Sequence, residues 1–596
     1  MNIRGFLSGI ALGAAAAAGA PAIAQTAQQS SQQQPVGRII VFGDSLSDGG
    51  FFRSILRLPP GAGRFTTNPD PVAPEVLADR LGLPLVTAYG QGGGTNFAVG
   101  GARVTAANGP SIPITTQISN FLAAGGTFRP NDLVYIQGGG NDFFFFQRTG
   151  GTNNAILTTA ANELAAQVVR LQAAGAERIV TLAVQTGGNP GLQLFNRTYA
   201  AALAAANVNA LYFDTDRLFN EIVANAASFG ITNITSTACL GSSLTCTPAT
   251  FRTPNANETF LLADSVHPAG ITQRIQGQAV ASLVQAPEQI GQLSYAAQSL
   301  LRGQREMLEG PMRGSLQEEG GGMRLFGNVG YNYFSADSSQ QRIGLNERSL
   351  TGQIGLDVAL GEAAGIGVAG AYSDGDGHFG FSSGGYDVSA LSGTVYGRAA
   401  LGPLQLGASA TYGSLSYDDI ERRFALGPTG RIHSGDTDGD YLAASALAGF
   451  TLIDQSGIRF GPDIGVTYEK VEIDGYAEDG ALSTAATFGE QELDSLTGRI
   501  GLAATTRPGA PLRVTARVSY EREFGSDERE FTITPVGAPV SYTSRIFTAD
   551  DDYVSYGLAL DGRLSAGLSL RAGVRGNVGR ANFDTLTSFA GLSLGF

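Results

Sequence analysis

The chain has 596 residues, more than one hydrophobic core usually serves, so at least two domains are expected. Glycine, at 83 residues, has about twice its usual share, charged residues make up only 15%, and tryptophan is absent. The net charge of −14 and the lack of a dense Lys and Arg cluster argue against nucleic acid as a partner, and the composition argues against an ordinary cytosolic enzyme.

The first 24 residues have the pattern of a secretory signal peptide. One early positive charge, Arg4, precedes an apolar run rich in Ala and Gly, and residues 22–24 form a small-x-small cleavage site. The run is too short and too rich in small residues for a membrane span. We therefore predict an exported protein and exclude residues 1–24 from the fold.

Residues 36–285 alternate short apolar strands with helical patterns. The predicted strands are Arg38 to Phe42, Asp132 to Ile136 and Arg178 to Val184, and the predicted helices include Pro74 to Leu81 and Asn154 to Ala174. This alternation predicts βαβ units around a parallel sheet. Ligands of such sheets bind at the carboxyl ends of the strands, and Ser45 lies just past the end of the first one.

Two glycine-rich turns of this half are suited to binding an oxyanion. Residues 94–102 follow a short strand-like stretch, and residues 138–142 follow the second predicted strand. Their backbone N–H groups, together with the Asn141 amide, can point at the charge that an acyl-transfer site must stabilise. The alternative for each turn is a tight bend that needs glycine for its φ angle.

An imidazole for the front half must come from His267. The other two histidines, His378 and His433, fall in the C-terminal half of the chain. Asp264 precedes His267 by three positions, so its carboxylate can reach the ring Nδ1 and fix the tautomer. An exposed or structural histidine is the alternative interpretation. The phenylalanine run at 143–146 also has two interpretations, the lining of an acyl pocket or packing in the core.

The chain has only two cysteines, Cys239 and Cys246. The predicted export takes them into an oxidising compartment, where they can pair. We predict a possible disulfide that closes a small loop, with two free thiols in a mobile loop as the alternative. Their spacing does not resemble a metal site, and no metal is expected. The sequence leaves open how much of the segment 190–260, which holds this pair, shapes a pocket.

From about residue 323 the hydrophobic pattern changes to period two. About twelve segments show it, namely 324–334, 348–360, 364–376, 387–401, 404–418, 438–453, 457–475, 491–506, 511–527, 551–563, 568–580 and 585–596. A soluble sandwich shows the same alternation with its apolar face inward. The even number of long strands, joined alternately by tight turns and long acidic connections such as 374–385, favours a tilted transmembrane barrel.

Residues 286–310 combine strong helix formers with many polar side chains. A helix of this length spans about 36 Å, enough to cross an apolar layer of about 30 Å. It carries too many polar groups for contact with lipid and suits a polar barrel lumen. A solvated linker between domains is the alternative.

Four stretches together resemble the GDSL, or SGNH, hydrolase family. GDSLSD at 43–48, NFAVGGA at 96–102, GGND at 139–142 and DSVH at 264–267 are similar to its blocks I, II, III and V. With the leader and the barrel, the chain resembles the autotransporter GDSL esterases of Gram-negative bacteria. The resemblance implies an α/β SGNH-hydrolase passenger at 25–285, a linker helix at 286–310 threading the barrel, and a 12-stranded antiparallel transmembrane β-barrel at 311–596.

The resemblance also assigns roles to residues. Ser45 is the nucleophile, Asp264 orients His267, and the Ser45 N–H, Gly101 and Asn141 form the oxyanion hole. No cofactor is implied. The expected function is hydrolysis of fatty acyl esters through an acyl-enzyme intermediate, by a passenger displayed at the surface of the outer membrane.

The expected partners are a lipid or other ester, the outer membrane and the outer-membrane assembly machinery, because the terminal Phe596 resembles the signal read by that machinery. A monomer is expected. A surface adhesin or matrix-binding module that uses the hydrolase fold as a scaffold is the alternative from a different functional class. A porin and a polysaccharide deacetylase are further alternatives. The natural ester and the release of the passenger are left open.

Overall fold

The computed structural model describes residues 36–90, 93–313, 322–455, 457–506, 510, 512–525, 529–565 and 567–596. The predicted signal peptide lies outside these residues. Within the described ranges, no helix combines the length and the apolar character needed to cross a membrane.

The N-terminal domain consists of short strands that alternate with helices. Its strands are β1 (Arg38–Phe42), β2 (Asp132–Ile136), β3 (Arg178–Leu182), β4 (Leu211–Phe213), β5 (Asn233–Thr237) and β6 (Phe260–Leu262). Its helices are α1 (Ala73–Arg80), α2 (Ile114–Ala123), α3 (Gly140–Arg148), α4 (Ala155–Ala173), α5 (Pro190–Ala205), α6 (Thr215–Ala224), α7 (Ala256–Thr259) and α8 (Gly270–Ile290). Strands β1 to β4 form one parallel sheet in sequential order, which confirms the predicted fold class.

Helices cover both faces of this sheet, which explains its continuous apolar strands. Successive side chains of a strand point to opposite faces. Ile39 and Val41 accordingly join the cluster that contains Ile275 of α8. Ile40 joins a second cluster with Leu164 of α4. An apolar layer therefore lies on each face of the sheet, and the polar residues lie in the loops.

A nearly continuous helical segment joins the two halves. Helix α8 is followed after two residues by α9 (Leu293–Arg313), so helical structure extends beyond the predicted 286–310 range in both directions. Helix α9 lies in the lumen of the barrel. There Gln304 Oε1 accepts hydrogen bonds from Ser392 Oγ and Tyr441 OH. Its polar side chains are thus bonded to strands, away from lipid.

The C-terminal half is a β-barrel. Its strands are β7 (Met323–Ala336), β8 (Leu345–Leu360), β9 (Ala364–Phe379), β10 (Gly385–Leu401), β11 (Leu404–Asp418), β12 (Arg422–Leu426), β13 (Thr429–His433), β14 (Thr437–Phe450), β15 (Ile453–Gln455), β16 (Ile458–Ile473), β17 (Tyr476–Ala477), β18 (Ala486–Phe488), β19 (Gln491–Thr506), β20 (Leu512–Glu523), β21 (Arg529–Pro535), β22 (Tyr542–Ile546), β23 (Asp552–Arg563), β24 (Leu568–Val578) and β25 (Phe583–Gly595). Twelve long antiparallel strands form a closed ring, because β25 pairs with β7 and β14 pairs with β16. The predicted twelve-stranded barrel is confirmed.

The apolar side chains of the barrel point outward. Val329, Ile354, Leu391 and Ile500 are each at least 61% exposed, whereas Gln353, the neighbour of Ile354, is only 5% exposed. An outward apolar face with a polar lumen is the arrangement of a membrane barrel and the reverse of a soluble sandwich.

Three of the long connections between barrel strands form small sheets. Strands β12 and β13 form a hairpin, and β17, β18, β21 and β22 form a four-stranded sheet. Both pack against α8 of the N-terminal domain. The predicted connection around 374–385 was wrong in extent, because β9 and β10 run through most of it and leave only a turn at 380–384.

Candidate active site

Ser45 lies in the turn that follows β1. It is 7% exposed, and the Asp44 carboxylate accepts a hydrogen bond from the Leu46 N–H (3.1 Å), which closes the turn. Asp48 accepts hydrogen bonds from the N–H groups of Phe51 and Gly100. This buried carboxylate therefore ties the loop of Ser45 to the glycine-rich loop at 94–102.

The three predicted triad residues meet at one edge of the sheet. His267 Nε2 lies 2.9 Å from Ser45 Oγ, across 222 positions of sequence. His267 Nδ1 lies 2.9 Å from each carboxylate oxygen of Asp264. This is the arrangement of a hydroxyl, a base and a carboxylate that orients the base.

Hydrogen bonds fix the carboxylate of Asp264. Its Oδ1 accepts from the N–H groups of Val266 and His267, and its Oδ2 accepts from the N–H of Ser243. Burial raises the pKa of Asp264, but the hydrogen bonds and charge of His267 and the hydrogen bond from Ser243 more than offset it. The pKa of this carboxyl is therefore held well below its usual range, and the group is ionised at neutral pH.

Gly101, in a loop, and Asn141, at the start of α3, lie at the same edge. Gly101 has a φ of +78°, and a Cβ there would approach Ser111 Oγ to 2.7 Å, so glycine is required on two counts. Asn141 is in the first turn of α3, and its Nδ2 donates to Ala102 O at 3.0 Å with one of its two N–H groups.

The pKa values of two buried carboxyl groups in the Ser45 turn are raised. Burial raises the pKa of Asp44 from 3.8 to about 6, although the Leu46 N–H and His267 oppose the rise. Burial likewise raises the pKa of Asp48 to about 6, against hydrogen bonds from backbone N–H groups. The loss of hydration destabilises the ionised carboxylates more than these hydrogen bonds and charges stabilise them.

Two residues in contact with His267 were not predicted from sequence. The Phe65 ring packs against the imidazole with 5.1 Å between centroids, and Ser243 Oγ lies 3.2 Å from Nδ1. Phe65 stands in a loop without any recognisable pattern. Ser243 lies between the two cysteines, and Cys239 and Cys246 are joined by a disulfide bond in the structure. The cysteine pair was therefore the one available signal.

Two of the four rings of the phenylalanine run belong to the core, whereas Phe144 and Phe145 are only partly buried. Phe143 and Phe146 are buried with Leu157 in one apolar cluster, so these two rings pack beneath α3. Across the described part of the chain, no three His, Cys, Asp or Glu side chains form a group suited to a metal ion.

Comparison with known proteins supports the same division of the chain. Residues 39–293 match the family described as GDSL-like lipase/acylhydrolase, and residues 325–575 match the autotransporter beta-domain. The chain is 30% identical to Esterase EstA of Pseudomonas aeruginosa, over 96% of this chain and 97% of the relative. It is 24% identical to Lipase 1 of Photorhabdus luminescens, over 66% of this chain and 59% of that one.

Among solved structures, the translocator domain of the autotransporter NalP from Neisseria meningitidis aligns with a TM-score of 0.41 and 16% identity, over 51% of this chain and 98% of that chain. Identity to the esterase extends over nearly the whole chain, and both matched regions occur in the predicted order. The chain belongs to the GDSL-like lipase/acylhydrolase family, as an outer-membrane esterase that carries its own autotransporter β-domain and displays its N-terminal domain at the cell surface.

Proposed function

We propose that this esterase uses Ser45 as nucleophile, His267 as general base and Asp264 as the residue that orients the imidazole. The observation that carries the proposal is the continuous chain of short contacts, with Ser45 Oγ 2.9 Å from His267 Nε2 and His267 Nδ1 2.9 Å from Asp264. These distances lie within the range at which a base takes the proton of a nucleophile.

In the first step, Ser45 Oγ attacks the ester carbonyl carbon and its proton passes to His267 Nε2. The tetrahedral intermediate carries a negative charge on the former carbonyl oxygen. When it collapses, the imidazolium returns the proton to the departing alkoxide, and an acyl-Ser45 ester remains. Water then attacks this ester with His267 again as base, which releases the carboxylic acid and restores the serine.

The proposed oxyanion hole consists of the Ser45 N–H, the Gly101 N–H and the Asn141 amide. The φ of Gly101 and the bond from Asn141 Nδ2 to Ala102 O support this assignment, because they fix a loop residue and the first turn of α3 beside each other. Donors fixed in advance stabilise a developing charge without reorganisation. A second N–H of the Asn141 amide is available for the oxyanion.

The proposed substrates are carboxylic esters of fatty acids. The names of the relatives, an esterase and a lipase, support this class. Activity of the purified chain on a series of esters of increasing acyl length tests the proposal. A preference for acetyl groups on polysaccharide would contradict it. The adhesin and porin alternatives have no support among the described residues.

The proposed domain division keeps the passenger at 25–285, the linker helix at 286–310 and the barrel at 311–596. The outer-membrane assembly machinery is proposed as the partner that reads the terminal Phe596. The barrel is closed by pairing within one chain, and this supports a monomer as the proposed state. Size-exclusion chromatography with light scattering tests this state.

Ser45→Ala tests the nucleophile. We expect loss of hydrolysis of short p-nitrophenyl esters with normal display on cells, because the substitution removes only the hydroxyl. Ser228→Ala is the matched control, since Ser228 is an exposed serine of the same domain. A serine-directed fluorophosphonate should label wild type and Ser228→Ala at Ser45 and should not label Ser45→Ala. Full activity in Ser45→Ala would overturn the proposal.

A further inference from the structure

The loop closed by the disulfide between Cys239 and Cys246 contacts the proposed triad. Ser243 of this loop is fully buried, and its N–H donates to Asp264 Oδ2 at 3.0 Å. Its Oγ lies 3.2 Å from His267 Nδ1. One residue of the loop therefore touches both members of the triad that do not attack the substrate.

The loop is fixed on two sides. Toward the triad, the Cys239 N–H donates to Ala263 O, directly before Asp264. On the opposite side, Asn68 donates twice, from Nδ2 to Ser243 O (2.9 Å) and from its N–H to Cys246 O (3.1 Å). Asn68 and both cysteines are at most 2% exposed. Ser243 is thus held in a buried frame that the disulfide closes.

The bond from Ser243 has a distinct role in orienting the carboxylate. Asp264 Oδ1 has two backbone donors, but Oδ2 has one described backbone donor, the Ser243 N–H, besides the imidazole itself. Without that donor, the carboxylate keeps fewer restraints on rotation about its Cβ–Cγ bond. Small displacements of groups in a proton-transfer chain cost rate without changing substrate binding in proportion.

We propose that the disulfide-closed loop is a positioning element of the active site, which acts through Ser243 to hold Asp264 and thereby the imidazole of His267. The inference rests on the proposed function of the triad. It assigns to the cysteine pair a role in catalysis in addition to any role in stability, because opening the loop gives Ser243 conformational freedom that the closed loop lacks.

The test replaces both cysteines in the full chain, as Cys239→Ala/Cys246→Ala, since the bond is buried from reductants. We expect kcat to fall about ten-fold with KM within about two-fold of wild type. Ser243→Ala keeps the disulfide and the backbone donor and removes only the contact to Nδ1, so we expect a loss of about three-fold. Leu240→Ala, on the same loop with a side chain that is 68% exposed, is the matched control and should keep full activity.

A double-mutant cycle separates positioning from general stability. In an Asp264→Asn background the residue to be positioned is already defective, so the cysteine replacement should lower the remaining kcat less than about two-fold. An equal ten-fold loss in both backgrounds would overturn the inference, and so would full kcat in the cysteine variant. If Ser45→Ala is inactive while the cysteine variant is fully active, the proposed function stands and this inference falls.

Discussion

The two halves of the molecule use apolar side chains in opposite directions. In the N-terminal domain, Ile39 and Ile40 are fully buried on the two faces of the sheet, and helices cover them. In the barrel, Ile354 points outward with 63% exposure, and the lumen holds polar groups. Isoleucine is therefore buried in the half surrounded by water and exposed in the half surrounded by lipid. Burial of apolar groups is favourable in water, whereas lipid solvates them.

The two halves also differ in what surrounds their carboxylates. In the N-terminal domain, Asp264 is proposed to orient the catalytic base, and one imidazole and three backbone donors surround it. Glu309 on α9 serves structure in the lumen, where Arg499, Arg517 and Arg575 donate hydrogen bonds to it. Exchanging a carboxylate for an amide should therefore affect activity in one half and barrel stability in the other.

The largest effect is expected from Asp264→Asn. The amide cannot hold the imidazole in the tautomer that accepts the Ser45 proton, so kcat should fall about 10³- to 10⁴-fold. Steady-state hydrolysis of p-nitrophenyl esters measures the loss. The migration of the unheated barrel in gels should not change. Activity within ten-fold of wild type would remove Asp264 from its proposed role.

Glu309→Gln should destabilise the barrel by about 3 kcal/mol, because it leaves a cluster of largely buried arginines with one negative charge fewer to balance them. The temperature at which the folded barrel loses its fast gel migration measures this. Glu362→Gln, on an exposed turn of the barrel, is the control and should have no effect. Esterase activity at low temperature should remain. A barrel as heat-resistant as wild type would contradict the structural role of Glu309.

Ile354→Arg tests the outward face. A charge placed near the middle of β8 and facing lipid should cost about 3 kcal/mol. Urea titration of the chain in lipid vesicles measures the change in free energy of unfolding, with Ile354→Val as the conservative control. If the arginine is tolerated as well as valine, the outer face of the barrel does not contact lipid at this position.

Asp44→Asn should change the pH dependence of stability of the N-terminal domain. Its folded-state pKa of about 6 lies above the usual 3.8, so the folded state binds the proton more tightly than the unfolded state. Stability contributed by the protonated form is present at low pH and is lost as the pH rises from about 4 through 6, by on the order of 2 kcal/mol.

The variant cannot ionise at this position, so its stability should fall less than that of wild type over the same window. Urea midpoints followed by circular dichroism at 222 nm measure this, since most helices belong to the N-terminal domain. Asp79→Asn, an exposed carboxyl, is the control. Parallel curves for wild type and Asp44→Asn would contradict the perturbed acidity.

The sequence predicted the barrel closely because a strand between lipid and a polar lumen repeats with period two. The segment 404–418 matches β11 residue for residue, and 364–376 falls three residues short of the end of β9. The small sheets between barrel strands were not predicted, since acidic and glycine residues obscure their short apolar runs. They pack against α8, a tertiary contact that no local pattern shows.

The candidate site likewise contains some residues that the sequence predicted and others that it did not. Ser45, Asp264 and His267 were predicted because each stands in a short motif, and the structure places them in contact. The support from Ser243 was not predicted, because it depends on a loop that folds back across 21 positions onto Asp264. Phe65 was missed for the same reason. Motifs identify residues that react, whereas the residues that hold them are found through tertiary contacts.

Helix α8 begins three residues after His267 and ends at the rim of the barrel, where Gln491 Nε2 donates to Ile290 O. Its 21 residues span about 31 Å. One helix therefore connects the segment that carries the proposed base, His267, with the rim of the barrel.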